Sequence, residues 1–203
     1  MIEPRTPRGA ETRRRIVAAA EEVFGEQGYL QASISRITER AGVGQGTFYL
    51  YFASKLDLFE TLVDDLHHRV RQAMSEGAAR GATRADAEAE GFRALFAFSA
   101  AHPALHRVMR EAEQVAPGAV RRHYERIVEG SVEGLERARG AGEIGDVDPT
   151  VAAWALMGIG EMIGMRWVLW PHQDGAVAPQ VPDDVLDQMM RLIRGALDAK
   201  EDA

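Results

Sequence analysis

Gln45, Thr47, Tyr49 and Tyr51 alternate through the stretch Gly44–Phe52, GQGTFYLYF, while Phe48 and Phe52 recur four residues apart within it. On a helix the i, i+4 phenylalanines share one face, so the polar side chains project from the others. Such a rod suits the edges of base pairs. Glutamine can pair bidentately with adenine N6 and N7, a threonine methyl packs on the thymine methyl, and tyrosine hydroxyls reach phosphates. The alternative for Tyr49 and Tyr51 is partial burial beneath the helix that carries them. No Lys or Arg lies between Ala41 and Ser54, so affinity for a polyanion must come from the flanks. Lys55 and the free amides that open the next helix are placed to hold one phosphate strand. Ser33, Ser35 and Arg36 are placed to hold the other, with Arg13, Arg14 and Arg15 nearby.

Other chemistries have no support in the sequence. Gly140-Ala141-Gly142-Glu143-Ile144-Gly145 spells GxGxxG, yet it follows an Arg/Glu-rich helix instead of the strand that a dinucleotide site requires. Gly158, Gly160 and Gly164 sit inside an apolar helix, where small residues allow close packing. There is no G-x-S-x-G, HExxH or P-loop, and no cysteine. His102 and His106 have no carboxylate to complete a metal set, and the histidines are expected on the surface or at helix ends. An enzyme is not expected, nor a cofactor, nor a metal.

The elements that must position the Gly44–Phe52 rod are helices. Ile16, Ala19, Ala20, Val23 and Phe24 form one helical face that Gly28 can end. Ser33 can cap a short helix bearing Ile34, Ile37 and Ala41, stopped by Gly42. A second short helix is expected from Gln45 to Phe52. Two short helices across a Gly-containing turn predict a helix-turn-helix, anchored by Ile34, Ile37, Val43, Phe48 and Phe52. Ser54 and Asp57 have capping-box spacing ahead of a helix carrying Leu58, Phe59, Leu62, Val63 and Leu66 to about Met74, with a loop at Gly77–Ala82. Phe92, Leu95, Phe96 and Ser99 make the next stripe, and Pro103 opens a helix with Leu105, Val108 and Met109. Residues 119–139 place Tyr124, Ile127, Val128, Ser131 and Leu135 on one face. Asp148-Pro149 opens an apolar helix to Trp170; Glu161 and Arg166 within it argue for a buried helix over a membrane span. Val185, Leu186, Met189, Met190, Leu192, Ile193, Ala196 and Leu197 form a face wide enough to cover both this domain and a second subunit. The fold class expected is all-α, with about nine helices.

Charge is unevenly spread along the 203 residues, whose net is -7. Residues 1–55 hold eight Lys/Arg against six Asp/Glu, leaving sixteen against twenty-five for the rest. A basic head on an acidic body directs a polyanion to the head, unless Arg5–Arg15 is only a solvated tail. The absence of cysteine and of an apolar leader predicts a cytoplasmic protein.

The segments TRRRIVAAAEEVFGEQGY and AGVGQGTFYLYFASKLDLF, over roughly residues 10–60, resemble the amino-terminal domain of TetR-type transcriptional regulators. FAFSAAHPALHRVMREAE and GEIGDVDPTVAA resemble their regulatory halves more weakly. The resemblance implies an amino-terminal three-helix DNA-binding domain at 1–53 and a ligand-binding and dimerisation domain at 54–203, connected by the helix 54–76. It implies DNA contacts at Ser33, Ser35, Arg36, Gly44, Gln45, Thr47, Tyr49, Tyr51 and Lys55. It also implies a homodimer through helices near 149–170 and 182–199. Thr38 stands where a small Ala is usual, and Gly44 replaces the common Ser, which puts one phosphate contact in doubt.

The function expected is a dimeric repressor released from a palindromic operator by a small-molecule effector. The alternatives are an activator or non-inducible DNA binder of the same fold, or a helical-bundle enzyme. Phe92, Phe96, His106, Met109, Tyr124, Trp154, Met157, Glu161 and Met165 are candidates to line the effector site, though core packing explains the apolar ones equally well. Glu161, a carboxylate in an apolar helix, needs a partner: Arg166 or a residue of the second subunit.

Overall fold

The computed structural model describes residues 6–82, 84–175 and 179–197. Arg5 of the basic segment, and residues 198–199 of the expected dimerisation helix, lie outside the described residues. The described residues form helices and no strand.

Helix α1 (Pro7–Gln31) starts on the Thr6 hydroxyl, which accepts from the Gly9 amide at 3.1 Å, and buries Ile16, Ala19, Ala20, Val23 and Phe24. Gly28 breaks it at φ 76, a conformation only glycine adopts without strain, and one more turn follows to Gln31. Helix α2 (Ile34–Ala41) is capped by the Ser33 hydroxyl, accepting from the Arg36 amide at 3.2 Å. Gly42 at φ 63 ends it in the left-handed conformation, and the Val43 amide bonds back to the Thr38 carbonyl at 3.0 Å. Helix α3 (Gln45–Tyr49) is shorter than expected, because Leu50 and Tyr51 N–H close tighter turns onto the Thr47 and Phe48 carbonyls, three residues back. Helix α4 (Lys55–Ala78) opens with the Ser54 hydroxyl accepting from Asp57 N–H at 3.0 Å and the Asp57 carboxylate accepting from Ala53 N–H at 2.8 Å. It outruns the expected end at Met74.

Helices α5 (Arg84–Ala101), α6 (Pro103–Val115) and α7 (Pro117–Gly140) follow. Helix α8 (Pro149–Gly164) is capped by Asp148, which accepts from Val151 N–H at 2.9 Å. The expected unbroken helix to Trp170 is corrected here. Residues Met165–Leu169 form a π-helical segment before a last α-helical turn, Trp170–Gln173. Trp170 N–H bonds to the Met165 carbonyl five residues back. Pro171 explains the widening: it has no N–H to donate, and its ring would collide with the carbonyl four residues earlier in an α-helix. Helix α9 (Asp183–Leu197) completes the described chain.

The chain divides into two compact units. One comprises the residues up to His68 together with His102–His123; the other comprises Arg69–Ala101 and the chain from Tyr124 onward. This cut differs from a division at 53/54, because α6 packs on α1 within the first unit. A Cβ on Gly25 would lie 2.4 Å from that of Ala104, so glycine is what permits the close approach. Arg107 donates to the Gly25 and Glu26 carbonyls at 3.2 and 3.1 Å, and Glu111 accepts from Tyr29 N–H. Phe24, Phe48, Phe52, Phe59, Ile37, Leu58 and Leu62 fill the core of this unit.

The core of the second unit is built from Phe96, Val128, Leu135, Ala152, Ala153, Val168, Leu186, Met189, Met190, Ile193 and Leu197. Ser131, placed on the apolar face of α7 by spacing alone, is exposed; Val128, Leu135 and Ala138 carry that face. The expected surface or capping position of every histidine is corrected too. His67 and His123 are 2% and 5% exposed, edge to face with ring centroids 5.7 Å apart.

Candidate nucleic-acid interface

Phe48 and Phe52 are fully buried, with ring centroids 5.7 Å apart, and they fix α3 and the turn behind it on the first unit's core. The side chains between them point elsewhere. Gln45, Gly46 and Tyr49 are exposed, Tyr49 to 56%, while Thr47 and Tyr51 are half-buried. Leu50, also on the surface, was not singled out by its type. Gly44 is the N-cap of α3, in extended backbone and without a side-chain cap bond. Ser33, Ser35 and Arg36 lie exposed at the opening of α2. Thr38 is buried, and its hydroxyl donates to the Ser35 carbonyl at 2.9 Å, which accommodates it where a smaller residue is usual.

The cations arrange themselves less simply. Lys55 Nζ donates to the carbonyls of Tyr29 and Ala32 at 2.7 and 2.8 Å and sits 4.3 Å from the Tyr29 ring centroid. Burial lowers its pKa from 10.5. Arg15 reaches from α1 to the Ala41 and Gly42 carbonyls, the latter at 3.3 Å. Arg13 stacks over Phe52 at 5.3 Å, Arg14 pairs with Glu11, and Arg40 pairs with Glu22 and Glu26. The hydrogen bond from Arg40 pulls the Glu26 carboxyl below its ordinary 4.5. Among the described residues Arg36 makes no ion pair and stands open at the surface. Tyr29, Arg107 and Glu111 are the participants that spacing does not single out, and Arg15, expected near a phosphate strand, holds carbonyls instead, since what these residues touch is set by tertiary packing.

Of the effector-site candidates, Phe96 is buried in the second unit's core, and Phe92, Tyr124, Met157 and Met165 are half-buried in that unit. Trp154 is 44% exposed. Glu161 is exposed and accepts from the Tyr124 hydroxyl at 3.1 Å, so the partner found is Tyr124; Arg166 instead lies over the Trp167 ring at 5.3 Å. His106 and Met109 are half-buried on α6 in the first unit, and burial lowers the His106 pKa. Among the described residues no three His, Cys, Asp or Glu could hold a metal ion, and no helix is long and apolar enough to cross a membrane.

The profile of bacterial regulatory proteins of the tetR family matches residues 16–62, which covers α2, α3, the later part of α1 and the start of α4. The HTH-type transcriptional regulator YdgC of Bacillus subtilis is 43% identical over 65 residues, 32% of this chain and 33% of that protein. The chain spans about a third of the length of the curated relatives it matches. Over nearly the whole chain the fold is that of the fatty acid degradation regulator FadR from Bacillus halodurans. Its TM-score is 0.77 at 22% identity, over 96% of this chain and 98% of that one. The FadR of Bacillus subtilis, solved in complex with stearoyl-CoA, gives a TM-score of 0.75 at 23% identity, over 91% and 98%. A helix-turn-helix whose first helix is closed by Ser33 and Gly42 thus lies within the stretch, residues 16–62, that matches the tetR family of bacterial regulatory proteins, and over nearly the whole chain the fold is like that of the two FadR structures.

Proposed function

We propose that the protein is a dimeric repressor that reads a palindromic DNA operator with α3 and leaves it when a small molecule binds. The observation that carries this reading is the division of α3 into a buried phenylalanine mount and an exposed face of Gln45 and Tyr49. Gln45 addresses a base edge, the Thr47 methyl a thymine, and Tyr49 and Tyr51 the backbone. Ser33, Ser35 and Arg36 at the opening of α2, and the bare amide of Gly44, face the flanking phosphates. No catalytic residue and no cofactor enter this scheme.

A second copy of the chain supplies the twofold symmetry. Val151, Trp154 and Met162 on α8, and Leu192 on α9, are exposed apolar side chains of the second unit. Covering them with the same face of a partner would remove them from water, and two α3 helices reading a palindromic operator would lie about 34–36 Å apart, one turn of DNA. The effector belongs to the second unit in this reading, where Phe92, Met157 and Met165 offer aromatic and thioether surface to an apolar molecule, with Glu161 and Tyr124 as polar contacts. The stearoyl-CoA bound by the similar structure makes a long-chain acyl thioester the first compound to titrate. The effector acts by binding better to the conformation whose recognition helices do not fit the operator.

The test is a gel shift of the purified protein on the DNA upstream of its own gene. A discrete band competed by specific but not by random duplex is expected. A shift equal on all duplexes would remove the reading.

A further inference from the structure

Lys55 is the cation that its position beside the recognition helix would assign to DNA. The ammonium has three N–H groups: two end on the Tyr29 and Ala32 carbonyls, and the group lies on the Tyr29 ring. Ala32 immediately precedes Ser33, the N-cap of α2. At the other end of α2, the Arg15 guanidinium takes the carbonyls of Ala41, its last residue, and Gly42, its C-cap. Carbonyls at a helix end have no partner within the helix, and a cation there also meets the negative end of the helix dipole. Helix α3 has only five residues, and its first bonds, Thr47 and Phe48 N–H to the Gly44 carbonyl, start two residues beyond Gly42. Its direction is therefore inherited from where α2 ends.

We propose that Lys55 from α4 and Arg15 from α1 are positioning residues that clamp the two ends of α2 and so aim the recognition helix, and that neither is a phosphate ligand. This rests on the DNA-binding reading. Lys55 being partly withdrawn from water accords with it, since a phosphate-facing lysine gains most when it stands in solvent.

The clamp and the phosphate contact differ in measurable ways. Full-length wild type is used to select a duplex from a randomised library, and its affinity for that duplex and for random duplex is then followed against salt. The variants are Lys55→Met, which keeps length and loses charge and donors, and Arg15→Lys, which keeps charge and loses the fork. The clamp predicts at least a tenfold loss on the selected duplex for each variant. It also predicts random-duplex affinity within about twofold and an unchanged slope of log K against log salt.

A slope shallower by about 0.9, the value of one phosphate neutralised, or an equal loss on both duplexes, would overturn it. So would Arg15→Lys binding like wild type. Amide exchange supplies a readout without DNA: the peptide 33–43 should exchange about tenfold faster in both variants, while the body of α4 is unchanged. Unchanged exchange in 33–43 refutes the clamp even if Lys55→Met folds poorly, because Arg15→Lys is then read alone. Should wild type select no duplex while exchange accelerates as stated, the DNA reading fails and the clamp itself survives.

Discussion

The two compact units differ in how their helix ends are held and in where their exposed apolar side chains lie. In the first, Phe24, Phe48, Phe52 and Phe59 are buried while Leu30, Tyr49 and Leu50 stay exposed, and the polar groups around the helix ends have named partners: Thr6, Ser33, Ser54, Asp57, Lys55, Arg15, Arg107 and Glu111 all bond backbone. In the second, Val151, Trp154, Met162 and Leu192 stay in water, Leu192 to 73%. Helix ends held in this way fix the direction of α2 and α3, as a reader of base edges requires. A unit with uncovered apolar faces is finished only by another molecule.

The largest effect that separates them is on folding. Phe48→Ala opens a cavity under α3 and should cost about 3–5 kcal/mol, whereas Trp154→Ala should cost the isolated chain far less. Thermal unfolding at low protein concentration, paired with sedimentation, checks this. Trp154→Ala is expected to weaken self-association and spare the monomer, and equal destabilisation by both would erase the contrast between the units.

Gln45→Ala comes next, with a loss of about 1–3 kcal/mol in operator affinity and relaxed preference at one base pair, read by competition with single-base variants of the selected duplex. Uniform weakening across all variants would move Gln45 from base reading to phosphate holding.

Gly46→Ala sharpens the same point. A Cβ there meets nothing within 4 Å, and alanine favours helix, so the variant should be up to about 1 kcal/mol more stable. If α3 lies against DNA, it should bind the operator more weakly, and a variant that gains stability without losing affinity would place the backbone at Gly46 away from the groove.

The smallest effect is electrostatic. Glu26 is exposed, and its carboxyl is held below 4.5 chiefly by the hydrogen bond from Arg40. A depressed folded-state pKa contributes stability that is present above the ordinary carboxylate range and lost as pH falls through it. Glu26→Gln should therefore flatten the melting temperature slightly between neutral pH and acid, and an unaltered profile would show the pair to be inert, as many surface pairs are.

The reading of the first unit from sequence succeeded where the signals are local. Gly28, Ser33, Gly42, Ser54 and Asp57 punctuate the backbone within three or four residues of themselves, so their roles follow from type and spacing. What Lys55 and Arg15 touch does not: whether a cation meets a phosphate or a carbonyl depends on helices far along the chain. His67 and His123 show the same limit, because burial of a histidine depends on which face a neighbouring helix covers. In the second unit the apolar stripes were legible, but which residues face the core, a ligand or a second chain was not. Phe96 and Trp154 look alike as letters and differ in exposure. The π-helical segment had a visible cause in Pro171, although the proline reads only as a boundary until the helix is seen to continue through it.

The most direct measurement is a hydroxyl-radical and methylation-protection footprint of the full-length protein on its selected duplex. The account predicts two symmetric sets of major-groove protections with centres one helical turn apart, about 10–10.5 bp, or an integral number of turns, each lost in Gln45→Ala at one base pair. Protection of a single continuous stretch without twofold symmetry, or confined to the minor groove, would contradict it.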